Sequence, residues 1–158
     1  MKVINQDVLD QLSLEATTSP RLRKNFNMHD DYADLCQRLF NAMEPGTYIR
    51  PHRHVDPPKI ECFIAVRGRM ALIVFDDQGL IEQIVPFGDG CEVKAIELPA
   101  GQWHSLLSLE PSSIFFETKP GPYAPLSDKD FAPWSPPESS PDSDKYLSLL
   151  TKAVIDSL

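Results

Sequence analysis

From Tyr48 to Thr118 the chain is cut into short apolar runs separated by Gly, Pro and Asp, and runs recurring every ~8–12 residues are the rhythm of an antiparallel sandwich or barrel. The runs are Ile60–Val66, Met70–Phe75, Leu80–Val85, Glu92–Leu98, His104–Leu109 and Ser113–Thr118. Asp76-Asp77-Gln78-Gly79 joins the second to the third as a hairpin. No helix-length segment alternates with them, so a βαβ architecture is excluded, and no internal repeat is present.

The flanks read differently. Residues 6–18 place Val8, Leu9, Leu12 and Ala16 at helical spacing and stop before Pro20, which predicts a short N-terminal helix. Residues 19–31 are polar and basic and read as a loop. Residues 35–43 fit either a helix or a strand. Seven of the 15 prolines lie between Pro120 and Pro141, forming an extended arm. After it, Tyr146, Leu147, Leu150, Val154 and Leu158 fall at helical spacing behind Asp142, Ser143 and Asp144, which suit a helix start. The expected plan is one domain over residues 1–158. Its parts are an N-terminal helix and loop (1–34), a β-barrel core (35–119), a proline-rich arm (120–143) and a C-terminal helix (144–158).

Composition narrows the partners. At 158 residues the chain holds one core of ordinary size. Its net charge of −8 argues against nucleic acid or an anionic membrane as partner. No apolar run approaches the ~18 residues of a membrane span. The N-terminus lacks a signal-peptide pattern, and Cys36, Cys62 and Cys91 form no paired motif. A reducing cytoplasm is therefore the expected location, with free thiols.

Three of the four histidines fall in one ordered pattern. Gly46 is followed by His52-x-His54, then Glu61 and Gly68, and later by Pro99-x-Gly101-x-x-His104. On a strand, His52 and His54 share a face. Three imidazoles and one carboxylate make a site for a divalent transition metal, Zn, Fe, Mn, Ni or Co, with positions left open. These two motifs resemble those of the cupin superfamily. More narrowly, the chain looks like the WbuC-type cupin-fold metalloproteins. That likeness rests on His52-Arg53-His54, Pro57-Pro58-Lys59-x-Glu61, Gly101-x-Trp103-His104, Glu117-x-Lys119-x-Gly121-Pro122-Tyr123 and Phe131-Ala132-x-Trp134. The resemblance implies an all-β jelly-roll barrel and a sugar-related role linked to surface polysaccharides. Here six residues separate His54 from Glu61, more than in the usual motif, so Glu61 is the ligand whose position is least determined. Ser108 and Val93 also stand where the second motif has Asn and Gly.

Around the ligands, Glu117, Lys59 and Tyr123 are the acid–base candidates. Arg50, Lys59, Tyr123 and Trp134 are the substrate-binding candidates, with packing on the barrel the plainer role for the two aromatics. Arg53 should face away as a solvated charge, Trp103 should be core, and His29 should be exposed and without a role. The expected activity is Lewis-acid isomerase, epimerase or lyase chemistry on a sugar or sugar derivative. The alternatives are a non-catalytic carbohydrate-binding or regulatory module, and an Fe(II) dioxygenase. A homodimer is expected, because an amphipathic outer helix and apolar strand faces need cover.

Overall fold

The computed structural model describes residues 1–124 and 129–158. Helix α1 (Gln6–Thr18) is capped by the Asn5 side chain, which accepts the Val8 N–H at 3.2 Å. Among the described residues ten strands follow: β1 (Arg23–Asn27), β2 (Cys36–Met43), β3 (His52–Arg53), β4 (Glu61–Arg67), β5 (Arg69–Phe75), β6 (Ile81–Gly88), β7 (Ala95–Leu98), β8 (Trp103–Ser108), β9 (Ser113–Pro120) and β10 (Asp130–Phe131). Helix α2 (Ser143–Ser157) closes the chain. The strands form two five-stranded antiparallel sheets, ordered β1-β2-β9-β4-β7 and β10-β3-β8-β5-β6, so the expected jelly roll with two flanking helices is the fold.

Two expectations are corrected. The 19–31 segment is not simply a loop, because Arg23–Asn27 pairs with β2 along its whole length. Its polar side chains hid a strand that has one face turned to a polar interior. The 92–98 run begins as a strand only at Ala95. The ambiguous 35–43 segment is a strand, fixed between β1 and β9.

Side-chain alternation explains the layers. On β5, Met70, Leu72 and Val74 enter the core between the sheets with Met43, Phe63, Phe87, Leu98, Leu106 and Phe115. The alternate residues Ala71, Ile73 and Phe75 face outward, where Trp103, Leu107, Ala132, Leu150 and Val154 cover them. Both faces of β5 are buried, which is why its sequence is apolar throughout rather than alternating. A smaller cluster of Leu12, Ala16, Ala42 and Ile114 seats α1 on the other sheet.

The turns are built from local chemistry. Asp76 Oδ1 accepts the N–H groups of Gln78 and Leu80 at 2.9 and 2.8 Å, and Gly79 adopts φ +86°. A Cβ on Gly79 would lie 2.6 Å from the Trp134 ring, so glycine also admits the arm at that point. Gly101, at φ +82°, turns the chain into β8 and donates its N–H to His54 O at 3.1 Å, which ties both metal motifs together.

Candidate metal centre

The site is assembled by register. His52 on β3 is the direct cross-strand partner of His104 on β8. Their neighbours in sequence point outward: Trp103 into the outer cluster and Arg53 over its ring at 4.1 Å. Glu61 opens β4 on the opposite sheet and faces inward, two residues before the core residue Phe63. The long segment between His54 and Glu61 folds back on itself through a Val55–Pro58 bridge. It therefore adds length without moving the carboxylate from the site. Glu61 Oε1 lies 3.3 Å from His54 Nε2, and Oε2 lies 3.1 Å from His104 Nε2.

All four side chains are buried, and their ligand atoms lie within 4.8 Å of one another. Donors on opposite sides of an ion bonded at ~2.1 Å are ~4.2 Å apart, so small side-chain adjustments close the set around one cation. Two imidazoles are already oriented. The Nδ1 atoms of His52 and His104 lie 2.9 and 3.0 Å from the carbonyls of Arg50 and Gln102. An Nδ1–H donated there leaves Nε2 as the lone-pair nitrogen facing inward, the second-sphere arrangement of a ligating histidine. Burial, with the charges of Lys129 and His104, holds the His52 ring well below the ordinary histidine range, so the ring is neutral. Burial alone would raise the Glu61 carboxyl, but the close approach of the His104 and His54 rings and the Lys119 charge hold it well below the usual carboxylate range. Its Oε2 is buried and receives no hydrogen bond among the described residues. Three imidazoles gathered around an ionised carboxylate with an unused oxygen fit a divalent cation.

The site opens into a cavity of about 450 Å³ between the sheets. Alternation on β9 turns Phe115, Glu117 and Lys119 inward together. Lys119 Nζ bridges Glu61 Oε1 at 3.1 Å and Glu117 Oε1 at 2.9 Å, and Asn41 Nδ2 donates to Glu117 Oε2 at 3.0 Å. Glu117 thus stands one side chain away from a ligand carboxylate. Tyr123 lines the cavity and packs edge-on against Tyr32 at 5.0 Å. Lys129, half-buried, lines it too, and burial together with the Lys119 charge pushes its ammonium below the ordinary lysine value.

Other candidates lie elsewhere. Lys59 is buried, but its ammonium donates to Pro122 O at 2.7 Å, and it does not line the cavity. It anchors the segment leading into the arm. Arg50 lines the cavity, yet its guanidinium donates to Ser135 Oγ at 3.1 Å and Ala132 O at 2.9 Å and so fastens the arm. Trp134 packs on Phe75 and Trp103 in the outer cluster, away from the metal set, because Gly79 leaves room for its ring there. Arg53 is no plain solvated charge: it is paired with Asp130 at 2.8 Å as well as stacked on Trp103. His29, expected to be exposed, is buried at the cavity wall with Nδ1 accepting the Arg38 N–H at 3.0 Å. Sequence reasoning gave Lys119 and Lys129 no role. Period-two spacing from Phe115 through Glu117 points to Lys119, whereas nothing local singles out Lys129.

No curated protein matches the chain. Solved structures match its fold. Oxalate oxidase in complex with the substrate analogue glycolate aligns at TM-score 0.57 and 13% identity, covering 90% of this chain and 77% of that one. KdgF from Halomonas sp. aligns at TM-score 0.51 and 15% identity, covering 68% and 85%. The capsular polysaccharide assembling protein CapF from Staphylococcus aureus aligns at TM-score 0.51 and 19% identity over 68% of this chain; the alignment spans only 31% of CapF. These likenesses establish the cupin jelly-roll fold. A family model, described only as a domain of unknown function, DUF6016, matches residues 4–86, more than half of the sequence, and the chain belongs to that family.

Proposed function

We propose that the protein is a metal-dependent cupin that acts on a sugar or sugar derivative by isomerase, epimerase or lyase chemistry. One observation carries the reading: a buried three-histidine, one-carboxylate set opens into a ligand-sized cavity that also holds a second carboxylate, Glu117. His52, His54, Glu61 and His104 would hold the ion, and the ion would supply Lewis-acid polarisation of a carbonyl or hydroxyl. The remaining work falls to the chain's own groups. Glu117, oriented by Asn41 and Lys119, is placed to take a proton from a bound substrate and return it. Phe63 and Leu106 at the inner wall exclude water from one side of the site. The likeness to CapF, a capsular polysaccharide assembling protein, supports a role in surface-polysaccharide metabolism. So do the residue patterns shared with WbuC-type cupins, and a cytoplasmic location belongs to the same proposal.

The test is proton NMR of a panel of hexoses and hexose acids mixed with metal-loaded protein. The reading predicts a new isomer, epimer or elimination product with wild type and none with Glu117→Gln, which should still bind the sugar. Binding without turnover by wild type would replace catalysis with a carbohydrate-binding module. Iron in the purified protein together with O2 uptake would favour a dioxygenase instead.

A further inference from the structure

The cavity reverses the charge of the molecule. Over the whole chain 23 acidic residues outnumber 15 basic ones. Among the described residues, six cationic side chains line the cavity (Arg21, Arg23, Lys24, Arg50, Lys119 and Lys129), against three carboxylates, Glu61, Glu117 and Glu138.

Each carboxylate already has a cation. Glu138 pairs with Arg23 at 2.6 Å, and Glu61 and Glu117 share Lys119. Arg50 is held by the arm, and Arg21 and Lys24 are largely exposed at the rim. Lys129 differs from these. Among the described residues no hydrogen bond or ion pair engages its ammonium, and the groups acting on it do so only through charge. A half-buried cation without a partner is costly. A dication among His52, His54, Glu61 and His104 would add further positive charge in the same cavity. Among the described residues, no anion is left to pair with Lys129.

We propose that the ligand is an acidic sugar whose carboxylate or phosphate group is held by Lys129, with the sugar's hydroxyl or carbonyl oxygens directed toward the metal set. The inference rests on the sugar reading above and adds the ligand's charge and the residue that recognises it. A volume of about 450 Å³ is within the range of small-molecule sites and accommodates one such unit. Lys119 is unsuited to this role because two carboxylates already hold it. Lys129 sits just before β10, whose Phe131 packs 6.2 Å from His52, so the arm brings the ammonium to the metal side of the cavity.

Calorimetric titration of the metal-loaded full chain tests this with four probes: glucuronate, glucose 6-phosphate, glucose and malonate. At least one acidic sugar should bind ten or more times tighter than glucose, and the tighter of the two identifies the anionic group. Lys129→Gln should remove that advantage and Lys129→Arg should keep it, with metal content equal to wild type in both. Glucose binding as tightly as the acids, or an advantage that survives Lys129→Gln, would overturn the proposal. Malonate binding that depends on Lys129 without any preference for sugars would retain the anion anchor and remove the sugar reading. Failure of every anionic probe to bind would overturn the anchor itself.

Discussion

At the scale of single residues, the chemistry of the site was largely written into spacing. His52 and His54 share a strand face, His104 follows a glycine turn, and the register places His52 directly across from His104. Glu61 was the least determined because the His54–Glu61 segment is long, and only the Val55–Pro58 bridge reveals that the extra residues loop away from the site. Glu61→Gln removes the set's anionic ligand while keeping its shape. It should weaken metal affinity by more than the ~10–100-fold typical of outer-sphere changes, as read by competition with a chelating dye, and leave the circular dichroism spectrum unchanged. Unchanged affinity would mean that Glu61 does not ligate. Lys59 and Trp134, candidates by the same reasoning, lie outside the cavity lining, Trp134 in the packing role that was its plainer alternative. Local sequence does not reveal which lysine reaches a carbonyl of the arm, nor that Gly79 makes room for an indole.

At the scale of elements, tertiary partners decided what periodicity could not. β1 was unreadable because its strand character comes from pairing with β2 rather than from its own polar side chains. Helix α1 was legible from its apolar stripe and the Pro20 stop, but not its anchor. Arg67 on β4 donates to Ser13, to the Leu9 carbonyl at 3.3 Å and to Asp10 on α1, and to Ser112 O at 3.1 Å. Arg67→Ala should destabilise the fold by about 2 kcal/mol, the size of lost charge-assisted hydrogen bonds, and increase amide exchange in residues 6–18. Equal exchange would remove that role. The arm and α2 carry a pH dependence of their own. Burial raises the Tyr48 hydroxyl well above its ordinary value and pushes Tyr146 up to about 12, while Tyr48 donates to Pro136 O at 2.9 Å. Raised folded-state values mean that the stabilisation is complete below the unfolded value near 10 and is lost as pH rises past it. Melting temperature should therefore fall above pH ~10, and the Tyr48→Phe, Tyr146→Phe double variant should fall less steeply.

At the scale of the whole molecule, two sheets enclose one core that is apolar at one end and polar at the other. β5 is buried on both faces, and its continuous apolar run reflects that double burial. Leu72→Ala, at a fully buried position in that strand, should cost about 2–5 kcal/mol in denaturant unfolding. A cost near zero would contradict the described packing. No helix among the described residues is long and apolar enough to cross a membrane. The apolar residues left exposed on β4 and α2, including Ile64, Val66, Leu149 and Ile155, are the basis for proposing a homodimer. Sedimentation of only monomer at micromolar concentration would remove that proposal. The central claim is that four side chains distant in sequence hold one ion. Elemental analysis of the purified protein beside a His52→Ala, His54→Ala variant tests it most directly. About one equivalent of a divalent transition metal in the wild type and next to none in a folded variant is the predicted result; equal content in the two proteins would contradict it.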